Sequence, residues 1–398
     1  MEISLRARNM PSSPIRKLAP YADAAKRDGV HVYHLNIGQP DIRTPQCGLD
    51  ALRAVDRDIL EYSPSDGFLS LRRKMVQYYA GYGIGLSPEE IIITAGGSEA
   101  VLFAFLACLE PGDELIVTEP FYANYLAFAI SAGAVVKSVR TCIEDGFRLP
   151  SVEAFEACIT PRTKAILICN PNNPTGYLYT REELERLRDI VRKHDLFLFS
   201  DEVYREFVYT GEPYVSAFHL DGIGEHLVLF DSVSKRYSEC GIRIGCLCTR
   251  NRGVHDAVMK FCQARLSPPL LGQIVAEASV DVEPEYLARV CAEYRDRRDF
   301  LVAGLNRIPG VFSPTPTGAF YTMAKLPVDD AEKFCIWCLR EFRRDGATVM
   351  LAPGAGFYSE PGAGRQEVRI AYVLCKEDLA KALAVLEQAL AAYPGREL

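Results

Sequence analysis

The stretch Asp231-Ser-Val-Ser-Lys-Arg-Tyr-Ser-Glu-Cys-Gly-Ile-Arg-Ile-Gly245 decides how the rest of the chain is read. One apolar run, Leu227 to Phe230, enters it, and a second, Ile242 to Leu247, leaves it. The pattern predicts two buried strands joined by a polar loop that presents Lys235. Buried strands rarely deliver a lysine, because desolvating an ammonium is costly. A lysine held there with a lowered pKa is a nucleophilic amine, the group that condenses with an aldehyde. Ser232, Ser234 and Arg243 offer two hydroxyls and a cation for a dianionic phosphate beside it. Most lysines are solvated surface groups, so the remainder of the chain has to decide.

Strand-like and helix-like patterns alternate through the first two thirds. Ile91-Ile-Ile-Thr94 runs into Ala95-Gly-Gly-Ser98, and an apolar helix over Ala100 to Leu109 starts at once. That is either a routine βα turn or a phosphate site, in which free amides and the positive end of the helix dipole face the anion. Leu115 to Thr118 precedes the aromatic run Pro120-Phe-Tyr-Ala-Asn-Tyr125. Ala165 to Cys169, a helix over Thr180 to Lys193, Leu196 to Phe199 and Leu227 to Phe230 follow. Such alternation predicts an α/β fold, a mostly parallel sheet of seven strands between helices. Ligands in such sheets sit beyond the carboxyl ends of the strands. Two polar motifs fall there: Asn170-Pro-Asn-Asn-Pro-Thr-Gly176, and Ser200-Asp-Glu-Val-Tyr204, whose acidic pair is a helix cap or a site.

Upstream, Pro14 to Asp28 reads as an amphipathic helix stopped by Gly29, leading to His34-Leu-Asn-Ile-Gly-Gln-Pro-Asp41. Gly38 with Pro40 marks a backbone pressed against something, or an ordinary tight turn. From about Glu283 the pattern changes to long helices (284–305, 331–344, 376–392) flanking short strands near Gly318-Ala-Phe-Tyr321 and Val368-Arg-Ile-Ala371. The expected division is a large domain over 46–282 and a smaller α+β domain from 1–45 and 283–398. A chain of 398 residues is too long for one core, which agrees with two.

Composition excludes several classes. A net charge of −7 gives no electrostatic reason to expect nucleic acid or an anionic membrane as partner. Thirteen scattered cysteines, an odd number, suggest a reducing compartment and buried thiols rather than disulfides. Cys335-x-x-Cys338 lies in a helical pattern where both residues share the apolar face, so core packing is expected. Cys246 and Cys248 continue a buried strand and receive the same reading. The six histidines show no metal-ligand spacing, so no metal site is expected. No apolar run reaches the ~18 residues of a membrane span, and no leader pattern opens the chain. A cytoplasmic location is expected.

A phosphorylated aldehyde beside a lysine describes pyridoxal 5'-phosphate, and here the motifs converge on a family. From Pro14 to about Ala392 the chain resembles the class I/II aminotransferases, fold-type I enzymes that carry this cofactor. The resemblance rests on S-x-S-K-x-x-x-x-x-G-x-R-x-G from Ser232 to Gly245, N-P-x-N-P-T-G from Asn170 and D-E-x-Y from Asp201, in family order and spacing. It implies that Lys235 bonds the cofactor and later moves the substrate proton. It also implies that Asp201 keeps the pyridine nitrogen protonated; a charge pair at ~4 Å is worth about 4 kcal/mol at an effective dielectric of 20. Asn173 and Tyr204 resemble the pair on the ring hydroxyl. Gly97, Ser98, Ser232, Ser234 and Arg243 resemble the phosphate cradle, and Tyr62 a phosphate-binding tyrosine from a second subunit, which implies a homodimer with shared sites. Tyr122 falls where the family stacks an aromatic ring on the cofactor, commonly tryptophan in aspartate enzymes. Arg369 matches the arginine that grips the α-carboxylate, and Gly38 the glycine beside it.

The implied reaction moves the amino group of an L-amino acid to a 2-oxo acid such as 2-oxoglutarate, in two half-reactions by a ping-pong route. Aspartate is the foremost donor, with alanine and aromatic amino acids, or a C–S β-lyase on the same scaffold, as alternatives. A PLP-sensing regulator would need an added DNA-binding segment, for which no room is expected before residue 14. Some aspartate enzymes carry lysine after the residue matching Gly97, whereas Ser98 stands here. Candidates for a distal carboxylate are therefore Arg265, placed first, with Arg43 and Arg236.

Overall fold

Ile91-Ile-Ile-Thr94 is wholly buried and built from β-branched residues, and it forms one strand of a seven-stranded sheet. The structure, a computed structural model, describes residues 1–397. Across the sheet the strands run Ile91–Thr94, Gly245–Thr249, Leu227–Ser232, Phe197–Asp201, Thr163–Cys169, Glu114–Glu119 and Val135–Arg140. Gly245–Thr249 is antiparallel to both neighbours, and the other six point the same way. Alternation along each strand divides two cores between the faces. Val228 and Phe230 join one with Leu167 and Ile92, while Leu227 and Leu229 join the other with Ile166 and Ile93. The helix Gly97–Cys108 packs in the first core, and Arg181–His194, capped by Thr180 with Glu183 in a reciprocal box, in the second.

A smaller three-stranded antiparallel sheet sets Glu367–Ala371 between Ala352–Pro353 and Tyr321–Lys325. Beside it, His31–His34 pairs in parallel with Ala347–Met350, tying the N-terminal segment to the C-terminal third. The helices Pro284–Leu305 and Lys376–Ala392 run as the periodicity predicts.

Several local expectations shift. The N-terminal helix spans Ala19–Arg27 rather than starting at Pro14. Pro20 has no N–H to give to a preceding turn, and it sits in the first turn where none is needed. Residues 331–340, not 331–344, are helical. The loop carrying Lys235 contains a single helical turn, Val233–Arg236, because the Ser232 hydroxyl accepts the Ser234 N–H at its start. The returning strand therefore begins at Gly245, three residues later than the apolar run, after Arg243 turns the chain with φ +57°. The edge strand Val135–Arg140 escaped notice because its half-exposed, mixed pattern is what an edge position permits. Cys335 and Cys338 are both buried in the core, as are Cys246 and Cys248.

Behind the Lys235 turn lies a closed ionic cluster. Asp231 accepts from Arg205 Nη1 at 3.0 Å, from Tyr79 Oη at 2.8 Å and from Arg236 Nη2. Arg205 also pairs with Glu202 at 2.9 Å, and Arg236 lies 4.1 Å over the Tyr78 ring. Burial would raise the Asp231 carboxyl's pKa, but Arg236 and Arg205 together hold it below the ordinary value. Removing one member of a sealed cluster leaves uncompensated charge in a low dielectric. Asp231→Ala should lower the unfolding free energy by about 3–5 kcal/mol in urea titrations at neutral pH.

Candidate active site

At the carboxyl edge of the large sheet, the strand ends and the turns after them open into a cavity of about 680 Å³. Gly38, Gly97, Ser98, Tyr122, Asn173, Asp201, Tyr204, Ser232, Ser234, Lys235, Arg243 and Arg369 all line it. Residues from both ends of the chain thus meet in one place. Tyr62 and Arg265 are not among the lining residues. Tyr62 is 75% exposed, and Arg265 is held by Glu99 at 3.2 Å and the Ser65 carbonyl at 3.3 Å. The guanidinium expected to meet a substrate carboxylate therefore already has a carboxylate of its own. Arg236 belongs to the Asp231 cluster, and Arg43 donates to Gln46 at 2.7 Å.

One wall of the cavity suits an anion. The twelve-residue helix Gly97–Cys108 opens on Gly96 with no side-chain cap, leaving its first amides free for a ligand. Gly96 has φ +83°, and a Cβ there would fall 2.2 Å from Arg243 Nη2, so only glycine lets the guanidinium lie over this turn. Arg243 donates to the Cys240 carbonyl at 3.1 Å and the Ala95 carbonyl at 3.4 Å, and is otherwise exposed. The Ser232 and Ser234 hydroxyls, 2.8 Å apart, complete this wall.

Asp201 ends its strand with a carboxyl that no cation neutralises among the described residues. Tyr125 Oη donates to it at 2.6 Å and the Val203 amide at 3.3 Å. Burial raises its pKa to about 6, against the pull of those two donors. Tyr204 Oη accepts from Asn173 Nδ2 at 3.3 Å and meets Tyr321 Oη at 3.0 Å. Burial first, and Tyr321 second, raise the Tyr204 hydroxyl's pKa well above the ordinary value. Lys235 Nζ donates to the Gly38 carbonyl at 3.0 Å and has Cys240 Sγ 3.9 Å away.

Arg369 is 1% exposed and meets no carboxylate among the described residues. Its Nη1 donates to Asn173 Oδ1 at 3.0 Å and its Nη2 to the Asn36 carbonyl at 2.6 Å, while Nε has no partner. The rings of Tyr321 and Phe357 lie 4.5 and 4.9 Å from its centre. Burial draws its pKa below the ordinary arginine value. Gly38 is pressed so closely against Tyr321 that a Cβ would fall 1.8 Å from the hydroxyl, which is the close approach its sequence allows.

Sequence reasoning passed over Tyr125, Tyr321, Asn36 and Arg16, all in stretches already singled out. Each carries a common side chain, and only the tertiary contact marks it.

The profile of the family "Aminotransferase class I and II" matches residues 30–386. The aspartate/prephenate aminotransferase of Thermus thermophilus is 33% identical over 96% of this chain and 97% of its own. The aspartate aminotransferase of Thermotoga maritima is also 33% identical, over 98% and 99%. Among solved structures, Thermus thermophilus aspartate aminotransferase with maleate superposes with a TM-score of 0.89 at 32% identity, covering 98% of this chain and 100% of that one. An alanine aminotransferase from Pyrococcus furiosus gives 0.89 at 29%, covering 97% and 99%. The chain belongs to the class I and II aminotransferases. It is a pyridoxal-phosphate-dependent enzyme of the fold that these aminotransferases share. The cavity fits that cofactor: an uncapped helix start beside an arginine for the phosphate, and an unneutralised carboxyl for a cationic ring nitrogen.

Asp201 carries the stability signature of such a site. An acid whose pKa is about 6 folded and about 4 unfolded favours folding below pH 4, and that contribution is lost as pH rises through 6. The cofactor-free Asp201→Asn protein should therefore exceed cofactor-free wild type in stability at pH 8, by on the order of 2 kcal/mol, with the difference shrinking toward pH 4. Thermal melts of both proteins across that range measure it.

Proposed function

We propose that the enzyme moves the amino group of an L-amino acid, aspartate foremost, to 2-oxoglutarate by a ping-pong route. The observation that carries this reading is the buried, carboxylate-free Arg369 sharing one cavity with Lys235 and Asp201. When bound, pyridoxal 5'-phosphate supplies an electrophilic carbonyl and an electron-withdrawing ring that makes the Cα–H of an attached amino acid acidic. Gly97 and Ser98 with Ser232, Ser234 and Arg243 would hold its phosphate. Asp201 would keep the ring nitrogen protonated; burial raises its pKa, and a facing cation would oppose that shift. Asn173 and Tyr204 would hydrogen-bond the ring oxygen, and the Tyr122 ring would cover one face.

Arg369 offers a planar fork to the α-carboxylate, and its partnerless Nε is free to donate. Fixing the carboxylate turns the Cα–H toward the lysine side of the cavity. Lys235 would then take the proton from Cα and return it across the nitrogen to the carbon of the cofactor's former aldehyde, and its 3.0 Å bond to the Gly38 carbonyl parks the amine when it is free. The first substrate leaves as an oxo acid before the second enters by the same contacts.

We place the active unit in a dimer. Ile59, Leu60 and Tyr62 are 72%, 61% and 75% exposed in one strip, which supports coverage by a second copy whose cavity Tyr62 would reach. The pairing of His31–His34 with Ala347–Met350, and of helix Ala19–Arg27 with Ala331–Arg340, supports the division into 46–282 and 1–45 with 283–398. No helix among the described residues is long and apolar enough to cross a membrane.

Lys235→Ala should lower transamination by at least about a thousandfold. Borohydride should fix the cofactor to the wild-type peptide carrying Lys235 and label nothing in the variant. A panel of donors with 2-oxoglutarate then tests the reaction: oxo acid and glutamate in equal amounts support it, whereas pyruvate with ammonia would indicate a lyase.

A further inference from the structure

Four cationic side chains line the cavity, Arg16, Lys235, Arg243 and Arg369, against one carboxylate, Asp201. In the reaction proposed above, three of the cations and the carboxylate have work: Lys235 at the aldehyde, Arg243 at the phosphate, Asp201 at the ring, Arg369 at the α-carboxylate. Arg16 is left over. It is exposed, and its guanidinium enters no hydrogen bond or ion pair among the described residues. Burial raises the Tyr122 hydroxyl's pKa to about 12, and Arg16, which lines the same cavity as that ring, is among the charges that oppose the rise.

The backbone of Arg16 is fixed although its head group is unused. Pro14 packs so tightly on Gly356 that a Cβ there would fall 2.1 Å from the proline Cβ. Lys17 Nζ pairs with Glu332 at 2.5 Å, and the Arg16 N–H donates to the Ser13 carbonyl at 3.1 Å. Asn36 ties this segment to the α-carboxylate site. Its Nδ2 donates to the Ile15 carbonyl at 2.8 Å, while its own carbonyl accepts Arg369 Nη2 at 2.6 Å. One buried asparagine thus sets the residue before Arg16 in register with the guanidinium of Arg369. The other arginines considered for a second anion, Arg265, Arg236 and Arg43, are already partnered and lie outside the lining.

We infer that Arg16 receives the second carboxylate of a dicarboxylic substrate whose α-carboxylate lies on Arg369. This rests on the aminotransferase reading and narrows its substrates to short dicarboxylic amino acids and their oxo acids. Ile15 and Ile37 line the same cavity, so a substrate that covers them leaves the new charge pair in a drier setting, where it is stronger.

The test uses the cofactor-loaded enzyme and its Arg16→Met and Arg16→Lys variants. The first keeps the apolar stem and removes the charge, and the second keeps the charge without the fork. The ratio of kcat/KM for aspartate over alanine should fall roughly 10- to 100-fold in Arg16→Met, the range of a partly desolvated charge-assisted bond, and recover in part in Arg16→Lys. Binding of succinate, read by calorimetry without turnover, should weaken by a similar factor, and that of propionate by less than about threefold. An unchanged succinate affinity, or equal losses for succinate and propionate, overturns the inference. Absence of amino transfer from any donor in wild type would defeat the proposed reaction instead, and the succinate and propionate affinities would still decide the role of Arg16.

Discussion

Arg369 is a deeply buried cation on the cavity wall, and no carboxylate among the described residues matches it. Such a group is tolerable only because a side-chain amide oxygen, a backbone carbonyl and two aromatic faces share its charge. That arrangement demands that the N-terminal segment supply Asn36, the large sheet Asn173 and the small sheet Arg369 and Tyr321. The two sheets and the first forty residues are therefore bound to a common geometry by one guanidinium. The charge deficit that remains is the basis for proposing Arg369 as the receptor of a substrate carboxylate.

Two groups of buried charges lie on either side of the Leu227–Ser232 strand end, and they differ in kind. The Asp231 cluster is buried and internally paired: Arg205 and Arg236 pair with Asp231, Glu202 and Glu206, and Tyr79 donates to Asp231. Its role is to hold the short helical turn from behind. The cavity in front is open, with Asp201 lacking a cation and Arg369 lacking an anion. Stability accrues to the first group, and the second carries unmet electrostatic demand, which a bound molecule satisfies. In the proposed reaction, a substrate and cofactor of complementary charge would meet that demand.

Much of this was legible in the chain. The motif around Lys235, the N-P-x-N-P-T-G turn and the acidic strand end each couple a rare local backbone with a chemically specific side chain, and both properties are local. Ile91–Thr94, Pro284–Leu305 and Lys376–Ala392 follow from burial periodicity and end signals alone. The edge strand Val135–Arg140 and the helix turn at Val233 did not show, since an edge needs no clean alternation and a single turn has no period. Arg265 misled because an arginine near a proline-rich turn looks available until Glu99, far away in sequence, is brought against it.

The order of the strands' apolar runs, the placement of polar motifs at their ends and the set of candidate reacting side chains were determined by sequence itself, because each depends on neighbours a few residues apart. Which charges are spent and which are free was decided only by tertiary structure. Lys17 meets Glu332 across a separation of 315 residues, and Arg369 meets the Asn36 carbonyl across 333. Pairing at such distances fixes whether an arginine is a structural tie or a receptor, and no local pattern records it. Electrostatic energy depends on separation in space and on burial, and the fold sets both.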